Sequence, residues 1–245
     1  MVAFEIRSRF GAFRDPFTIS QHLTLPLPPK SAVAGMVAAV LGEAEYLGKR
    51  EYREFLYSVV VPGPVRRKSF AQNFINDYTK KSAARLSALK KGDPKEIAKG
   101  FRDPKSPQKP ANRELLIEPR YLIFVDRFDR ERELLERLLQ RRYGFTPYMG
   151  NSEFVAALRH LPIERVETVR GEVELDSFVR GDEKDKIILN PQVRYTPLML
   201  SAAMGAERRV DEVVEVVWAD KPVRLNESEA QRIVTKEGTF VCHMI

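Results

Sequence analysis

The chain has 245 residues, a formal net charge of +7 and a pI near 9.5. Hydrophobic residues make up 43% of it and charged residues 31%, which excludes a disordered chain and predicts one large or two small domains. The single cysteine, Cys242, excludes an internal disulfide. The sequence has no apolar run of about 18 residues and no apolar signal-peptide core, which predicts a cytoplasmic protein without a membrane partner.

The first 162 residues predict alternating strands and helices. Apolar and charged residues alternate over residues 4–10, as in a half-buried strand. Three prolines within residues 25–29 exclude a helix there, and Ser31 is the expected N-cap of a helix over residues 31–45. The other predicted elements are a strand at 56–61, a strand within 115–128, a helix at 129–142 and a strand at 154–161. The resulting βαββαβ order is that of the ferredoxin-like fold, which RNA-recognition domains share.

Residues 163–245 predict almost no helix. Short runs rich in β-branched residues indicate strands at 166–169, 173–179, 186–189, 193–200, 213–218, 232–235 and 239–244. We therefore expect an α+β protein with a ferredoxin-like domain over residues 1–162 and a small, mostly β domain over residues 163–245.

A basic segment, residues 64–113, interrupts the pattern between the second and third predicted strands. It contains fourteen Lys or Arg residues against four Asp or Glu residues, so its net charge is +10 and the rest of the chain carries −3. Its prolines and lack of apolar periodicity predict no sustained helix or strand, and long insertions of this kind are usually functional or disordered. Clustered cations with interspersed aromatic rings are typical of RNA binding. The aromatic residues that can either stack on bases or pack within the segment are Phe70, Phe74, Tyr78 and Phe101.

Three short stretches carry a resemblance to a known family. They are Phe10-Gly-Ala-Phe-Arg-Asp-Pro16, then Leu25-Pro-Leu-Pro-Pro-Lys-Ser31 leading into Gly35, and Tyr148-Met-Gly-Asn-Ser-Glu-Phe154. Their order and spacing, together with the inserted basic segment, resemble CRISPR-associated family five. Members of that family are subunits of the type I Cascade effector within the RAMP superfamily.

The resemblance implies a non-catalytic RNA-binding subunit. It implies that the chain grips the 5′ handle of CRISPR RNA, that the basic segment folds over this RNA as a thumb, and that the chain caps the filament of backbone subunits. The implied partners are the CRISPR RNA, the backbone subunit and large subunit of Cascade, and target DNA reached through the complex. Sequence choice is then left to pairing between guide and target.

Candidate RNA-binding residues follow from the chemistry of these stretches. Arginine can hold a phosphate with two hydrogen bonds or stack on a base, and the start of a helix attracts anions. Glycine permits close approach of a ligand to the backbone. The candidates are Arg9, Arg14, Lys30, Ser31, Arg66, Arg67, Lys68, Lys80, Lys81, Arg85 and Gly150.

Catalytic and cofactor motifs are sparse. The three histidines form no spaced metal motif, Cys242-His243 is too little for zinc, and no phosphate-binding glycine loop occurs, so no cofactor is expected. One branch of the family cleaves precursor RNA without a metal through a Tyr, Lys and His set, and the full set cannot be placed here. Two alternatives stay open. One is such a metal-independent endoribonuclease, with His22 and Tyr46 as conceivable parts, and the other is a sequence-neutral nucleic-acid binder unrelated to CRISPR.

Overall fold

The structure is a computed structural model of the chain, and it describes residues 1–18, 21–75, 87, 90–92, 94–95, 108–205 and 207–245. These residues show a mixed α+β architecture that is mostly sheet. Its helices include α1 (Lys30–Leu41), α2 (Glu51–Glu54) and α3 (Glu131–Gln140), with a 3₁₀ helix at Gly181–Lys186. None of the helices in the described ranges has both the length and the apolar character that a membrane crossing requires.

The strands alternate with the helices in the first part of the chain and dominate the second. They are β1 (Val2–Arg7), β2 (Phe10–Gly11), β3 (Leu56–Val60), β4 (Arg66–Ile75), β5 (Gln108–Ile117), β6 (Arg120–Asp126), β7 (Ala157–His160), β8 (Ile163–Leu175), β9 (Val179–Arg180), β10 (Tyr195–Met204), β11 (Val210–Ala219), β12 (Val223–Thr235) and β13 (Gly238–Cys242).

The central sheet has the strand order β3-β6-β1-β7, and all neighbouring strands are antiparallel. Its register places Phe4 opposite Ile123 of β6, and Ile6 opposite Leu158 of β7. These four side chains belong to the main hydrophobic core, which they share with the buried side of α1. Because side chains alternate between the two faces of a strand, these side chains share one face of the sheet, and that face packs against α1.

Helix α1 begins one residue earlier than the sequence predicts. Pro29 is its N-cap residue and no side chain caps it, so the prediction of Ser31 as N-cap is wrong. A proline fixes the extended backbone that a helix entry needs, and Lys30 and Ser31 are already helical. The helix ends at Gly42, whose φ of 73° lies in the left-handed region that glycine adopts without strain.

The opposite face of the central sheet is covered rather than open. Leu122 and Phe124 on this face are buried, and they pack with Ile233 of β12 and Cys242 of β13 in a second hydrophobic cluster. RNA-recognition domains stack bases on the exposed face of such a sheet. In this protein that face is filled by the C-terminal strands, so an RNA would have to bind elsewhere.

The second half of the chain forms two further sheets, with orders β13-β12-β8 and β10-β11-β9. The predicted strands at 166–169 and 173–179 are largely one strand, β8, which passes through Gly171 without a break. The predicted strand at 186–189 is wrong, because residues 181–186 form the 3₁₀ helix and only Ile187 makes an isolated bridge. Charged residues in the sequence Gly181–Lys186 favour this solvated turn over a ladder.

The two described ends of the basic segment are strands, which corrects the prediction of irregular chain. β4 begins at Arg66 and β5 ends at Ile117, and β5 lies between β2 and β4 in a three-stranded sheet. Strand pairing can override a sequence that has no apolar alternation, because the ladder itself satisfies the backbone hydrogen-bonding groups.

The chain divides into two compact units. One comprises residues 1–15, 24–68 and 115–245, and the other comprises residues 16–23 and 69–114. Residues 163–245 thus share a unit with the first strand, and the predicted boundary after residue 162 stays a prediction.

Candidate nucleic-acid interface

Two of the three family-like stretches lie against each other. The Ala12 N–H donates to the Met149 carbonyl oxygen at 3.1 Å, and the Met149 N–H donates to the Phe154 carbonyl oxygen at 2.8 Å. The rings of Phe10 and Phe154 complete the contact, with centroids 6.4 Å apart. The loop after β2 and the loop before β7 are therefore packed against each other.

Gly150 is the residue that permits this contact. Its φ is 84°, and a Cβ atom at this position would lie 1.9 Å from the Ala12 carbonyl oxygen. No side chain fits there without moving the loop. The structure thus gives Gly150 a packing role, while its predicted contact with RNA stays a prediction.

The proline-rich stretch is held against the first stretch and the central sheet by buried hydrogen bonds. The Leu25 N–H donates to the Phe13 carbonyl oxygen at 2.8 Å. The Tyr121 hydroxyl donates to the Pro26 carbonyl oxygen at 2.8 Å, and the Tyr57 hydroxyl donates to the Pro28 carbonyl oxygen at 3.1 Å. Prolines have no N–H to donate, so this extended stretch cannot pair as a regular strand. Two buried tyrosines from the central sheet instead donate hydrogen bonds to its carbonyl groups.

Lys30 is turned into the protein. Its residue is 8% exposed, and its ammonium nitrogen lies 5.2 Å from the centre of the Phe55 ring. Burial lowers the pKa of Lys30, and the charges of Glu212 and Glu54 only partly oppose this effect. The structure therefore presents Lys30 less readily to a phosphate than the sequence predicts, and the half-buried Ser31 beside it is not a cap.

The arginines that flank the first stretch are exposed. The Arg9 guanidinium lies 5.6 Å from the centre of the Phe10 ring, and Arg14 forms an isolated backbone bridge with Thr24. Phe13, by contrast, is buried with its ring 6.0 Å from that of Tyr121. Of the two phenylalanines in this stretch, Phe13 packs in the core and Phe10 is only half-buried.

The start of β4 carries three consecutive exposed cations, Arg66, Arg67 and Lys68. Arg66 forms an ion pair with Glu118, which lies in the turn between β5 and β6. The Glu118 N–H in turn donates to the Arg9 carbonyl oxygen at 2.9 Å. Arg9 and Arg66, predicted from separate parts of the sequence, are therefore brought to the same carboxylate-bearing turn.

An open cleft of about 310 Å³ lies between the two connections that lead into and out of the basic segment. One side is formed by Val61–Arg66 and the other by Leu116–Tyr121. The sequence prediction missed this cleft, because Glu118 fell inside a predicted strand. The signal that marks it is Pro119, which has no N–H to donate and therefore interrupts a continuous ladder.

Part of the predicted interface lies outside the described residues. Among the described aromatic residues of the basic segment, Phe70 is 37% exposed. The predicted site residues and rings outside the described part are Lys80, Lys81, Arg85, Tyr78 and Phe101, together with the side chain of Phe74.

The conceivable catalytic residues have different surroundings. Tyr46 is half-buried with its ring 5.4 Å from that of Tyr52, and burial raises the pKa of its hydroxyl. A raised pKa makes a tyrosine a poorer general base at neutral pH. His22 is held through its backbone, which pairs with Asn112 and Glu114. Within the described ranges, no three His, Cys, Asp or Glu side chains come together as a metal site.

Comparison with known proteins places the chain in a family. A family model described as CRISPR-associated protein (Cas_Cas5) matches residues 1–219, whereas no curated protein matches. A chain of a "CRISPR RNA-guided surveillance complex" is similar in fold, with 17% identity and a TM-score of 0.54 over 93% of this chain and 91% of that chain. A CRISPR protein from Archaeoglobus fulgidus, known from a crystal structure, is 12% identical with a TM-score of 0.48 over 99% of this chain and 100% of that chain. Since the family model spans most of the sequence, the chain belongs to the CRISPR-associated Cas5 family.

Proposed function

We propose that this chain is a non-catalytic subunit of a type I Cascade effector that binds the 5′ handle of CRISPR RNA and caps the filament of backbone subunits. The partners would be the CRISPR RNA, the backbone and large subunits, and target DNA reached through the complex. The observation that carries the proposal is the group of exposed cations where Arg9 and the root of β4 meet at the Glu118 turn.

The physical basis is counterion release from the RNA backbone. A protein that neutralises phosphates with Lys or Arg gains affinity from the release of condensed cations. Arg66, Arg67 and Lys68 are adjacent on one exposed strand, and Arg9 lies beside the turn that Arg66 contacts. A single-stranded handle can follow such a row without the base-stacking surface of an RNA-recognition domain, which the C-terminal strands cover.

The strand order supports a ferredoxin-like assignment of the first part of the chain. The neighbouring strands of the central sheet are β7, β1, β6 and β3, which are the fourth, first, third and second predicted strands, and all pairs are antiparallel. Helix α1 lies between β1 and β3 in the chain, and α3 lies between β6 and β7. The βαββαβ unit generates this order, with the basic segment inserted between the second and third strands.

The test is binding and cleavage of a labelled repeat-derived RNA by the purified full chain, in EDTA, against a scrambled RNA of the same composition. We expect tighter binding of the handle sequence and intact RNA after prolonged incubation. If about five phosphates are neutralised, log K should fall with log salt at a slope near −3.5. Equal affinity for both RNAs would favour a sequence-neutral binder, and cleavage at one phosphodiester would make the protein an endoribonuclease.

A further inference from the structure

We propose that the cleft between Val61–Arg66 and Leu116–Tyr121 holds one unpaired nucleotide of the bound RNA, and that Glu118 selects guanine there. The inference rests on the proposed function, because it needs RNA to reach this surface. It adds a base-reading site to a surface on which Arg66, Arg67 and Lys68 are expected to contact phosphates.

The size and walls of the cleft suit a single base. Its volume of about 310 Å³ lies at the lower end of the roughly 300–1,000 Å³ that ligand clefts occupy. Pro62, Pro64 and Pro119 contribute rigid apolar surfaces, and Val61 and Val65 add aliphatic ones. The buried ring of Tyr121 is 1% exposed and does not fill the cleft, so a nucleobase can lie against the proline and valine surfaces, whereas a double-stranded segment is far too large to enter.

Arg66 and Glu118 supply the polar contacts from opposite sides of the cleft. They are paired with each other, and both side chains are more than half exposed. An ion pair in water contributes little free energy, so a phosphate can displace the Glu118 carboxylate from Arg66 with little loss. The exchange would leave Arg66 on the RNA backbone and free the carboxylate for the base.

A carboxylate accepts hydrogen bonds and donates none at neutral pH. Guanine presents two adjacent donors, N1–H and the N2 amino group, so it can engage both oxygens of Glu118. Adenine and cytosine present one amino group beside an acceptor nitrogen, and uracil presents one N–H between two carbonyl oxygens that repel the carboxylate. The expected order of preference is therefore guanine first and uracil last.

The backbone of Glu118 points to a requirement for its side chain. Its φ is 48°, in the left-handed region where a residue with a Cβ atom is strained and glycine is not. Four other described non-glycine residues share this backbone region, but none of them lines the cleft, and a glycine in place of Glu118 would relieve the turn. Strain of this kind at a cleft is consistent with a functional side chain.

The experiment compares the binding of two RNAs to the full-length protein: a nine-nucleotide oligouridylate, and the same RNA with guanine at its central position. We expect the guanine-containing RNA to bind about tenfold more tightly, in the range of a two-donor base contact. Glu118→Gly should bring this ratio close to one while the melting temperature is unchanged or higher. Glu118→Gln, whose amide offers one acceptor and one donor, should also lower the ratio.

The ratio is the readout, because loss of one negative charge raises the affinity for every RNA. The matched control is Glu229→Gln, which removes the same charge from an exposed ion pair with Arg170 outside the cleft. It should leave the ratio unchanged. If the wild-type protein binds both RNAs equally, or keeps its guanine preference in Glu118→Gly, the base-reading site is wrong and the proposed function stands. If the wild-type protein binds neither RNA, the base-reading site is also wrong, and the handle RNA with its scrambled control then decides the proposed function separately.

Discussion

The root of the basic segment, residues 66–68, and the long ribbon formed by β8 and β12 are both exposed and rich in basic residues. Their charged residues are arranged differently. Along the ribbon, an arginine on one strand meets a glutamate on the other three times. These cross-strand pairs are Arg170 with Glu229, Arg232 with Glu167, and Arg224 with Glu172. At the root of the basic segment, Arg66, Arg67 and Lys68 follow one another, and Glu118 is the carboxylate paired with Arg66.

The difference separates charge that stabilises a strand pair from charge that attracts a partner. Opposite charges directly across an antiparallel pair support the ladder and leave little net field. A run of like charges on one strand is unfavourable for the isolated protein and becomes favourable when a polyanion arrives. The overall count of arginines therefore says less about RNA binding than their distribution between these two surfaces.

The largest effect should come from removing the charge at the root of the basic segment. The triple substitution Arg66→Ala, Arg67→Ala and Lys68→Ala should reduce RNA affinity about a hundredfold at 0.1 M salt and lower the salt slope by about 2. Each lost phosphate contact removes about 0.7 from the slope for single-stranded RNA. Fluorescence anisotropy with a labelled handle RNA across a salt series measures both quantities.

The ribbon provides the control for this substitution. Replacing Arg170, Arg224 and Arg232 by alanine removes the same formal charge from a surface where each arginine faces a glutamate. We expect RNA affinity to change less than threefold. An equal loss from both triple variants would mean that only net charge matters, and the contrast between the two surfaces would then be wrong.

The sequence predicted the main strands and helices because their patterns are local. The apolar runs of β3, β6 and α1 are readable without tertiary information, and each is within a few residues of its predicted bounds. The basic segment was located from charge alone. Its strands β4 and β5 were missed, since their pairing depends on residues about forty positions apart, which no local pattern reports.

The site was predictable in its residue types and unpredictable in its geometry. The start of a helix predicts an anion contact for Lys30, but whether a lysine points outward or lies over a ring such as Phe55 depends on tertiary packing. The backbone freedom of glycine predicts a close approach at Gly150, and in the structure the approaching group is the Ala12 carbonyl. The partnership of Arg66 with Glu118 joins residues 52 positions apart and has no signature in the sequence.

The next effect concerns an ion pair whose carboxylate is buried, in contrast to the exposed pairs of the ribbon. Glu5 lies on the covered face of the central sheet and pairs with Arg120 and Arg159, which both also reach Glu237 in the β12–β13 turn. Burial alone would raise the pKa of Glu5, but hydrogen bonds from the two arginines hold it below its ordinary value. We expect Glu5→Gln to lower the free energy of unfolding by about 2 kcal/mol, because it leaves two arginines short of one carboxylate.

Denaturant unfolding measures this loss, and the exposed pair at Glu229 is its control. The two arginines are about half exposed, so the loss should stay below the roughly 3–5 kcal/mol seen when a fully buried pair is broken. Glu229→Gln should cost less than about 0.5 kcal/mol. Similar losses at both positions would show that burial does not distinguish the two kinds of ion pair in this protein.

The smallest effect is a dependence of stability on pH that arises where the ribbon meets the C-terminus. The buried His243 accepts a hydrogen bond at Nδ1 from the Arg180 N–H at 3.1 Å, and its Nε2 lies 2.9 Å from Oγ of Ser228. The Ser228 hydroxyl donates to Glu183, which also pairs with Arg180. This arrangement fits a neutral imidazole that carries its proton on Nε2, since Nδ1 is already an acceptor.

Burial, helped by the positive charges of Arg180 and Lys186, lowers the pKa of His243 below its ordinary value, although Glu183 opposes the shift. A histidine with a depressed pKa in the folded state binds its proton more readily when unfolded, so stability falls as the pH drops below about 6.5. We expect the free energy of unfolding to decrease by about 1 kcal/mol between pH 7 and pH 5.5, and His243→Gln to remove most of that dependence. Thermal melts of both proteins at the two pH values provide the measurement. A wild-type stability that stays constant or rises on acidification would show that folding does not lower the pKa of His243, and the prediction would be wrong.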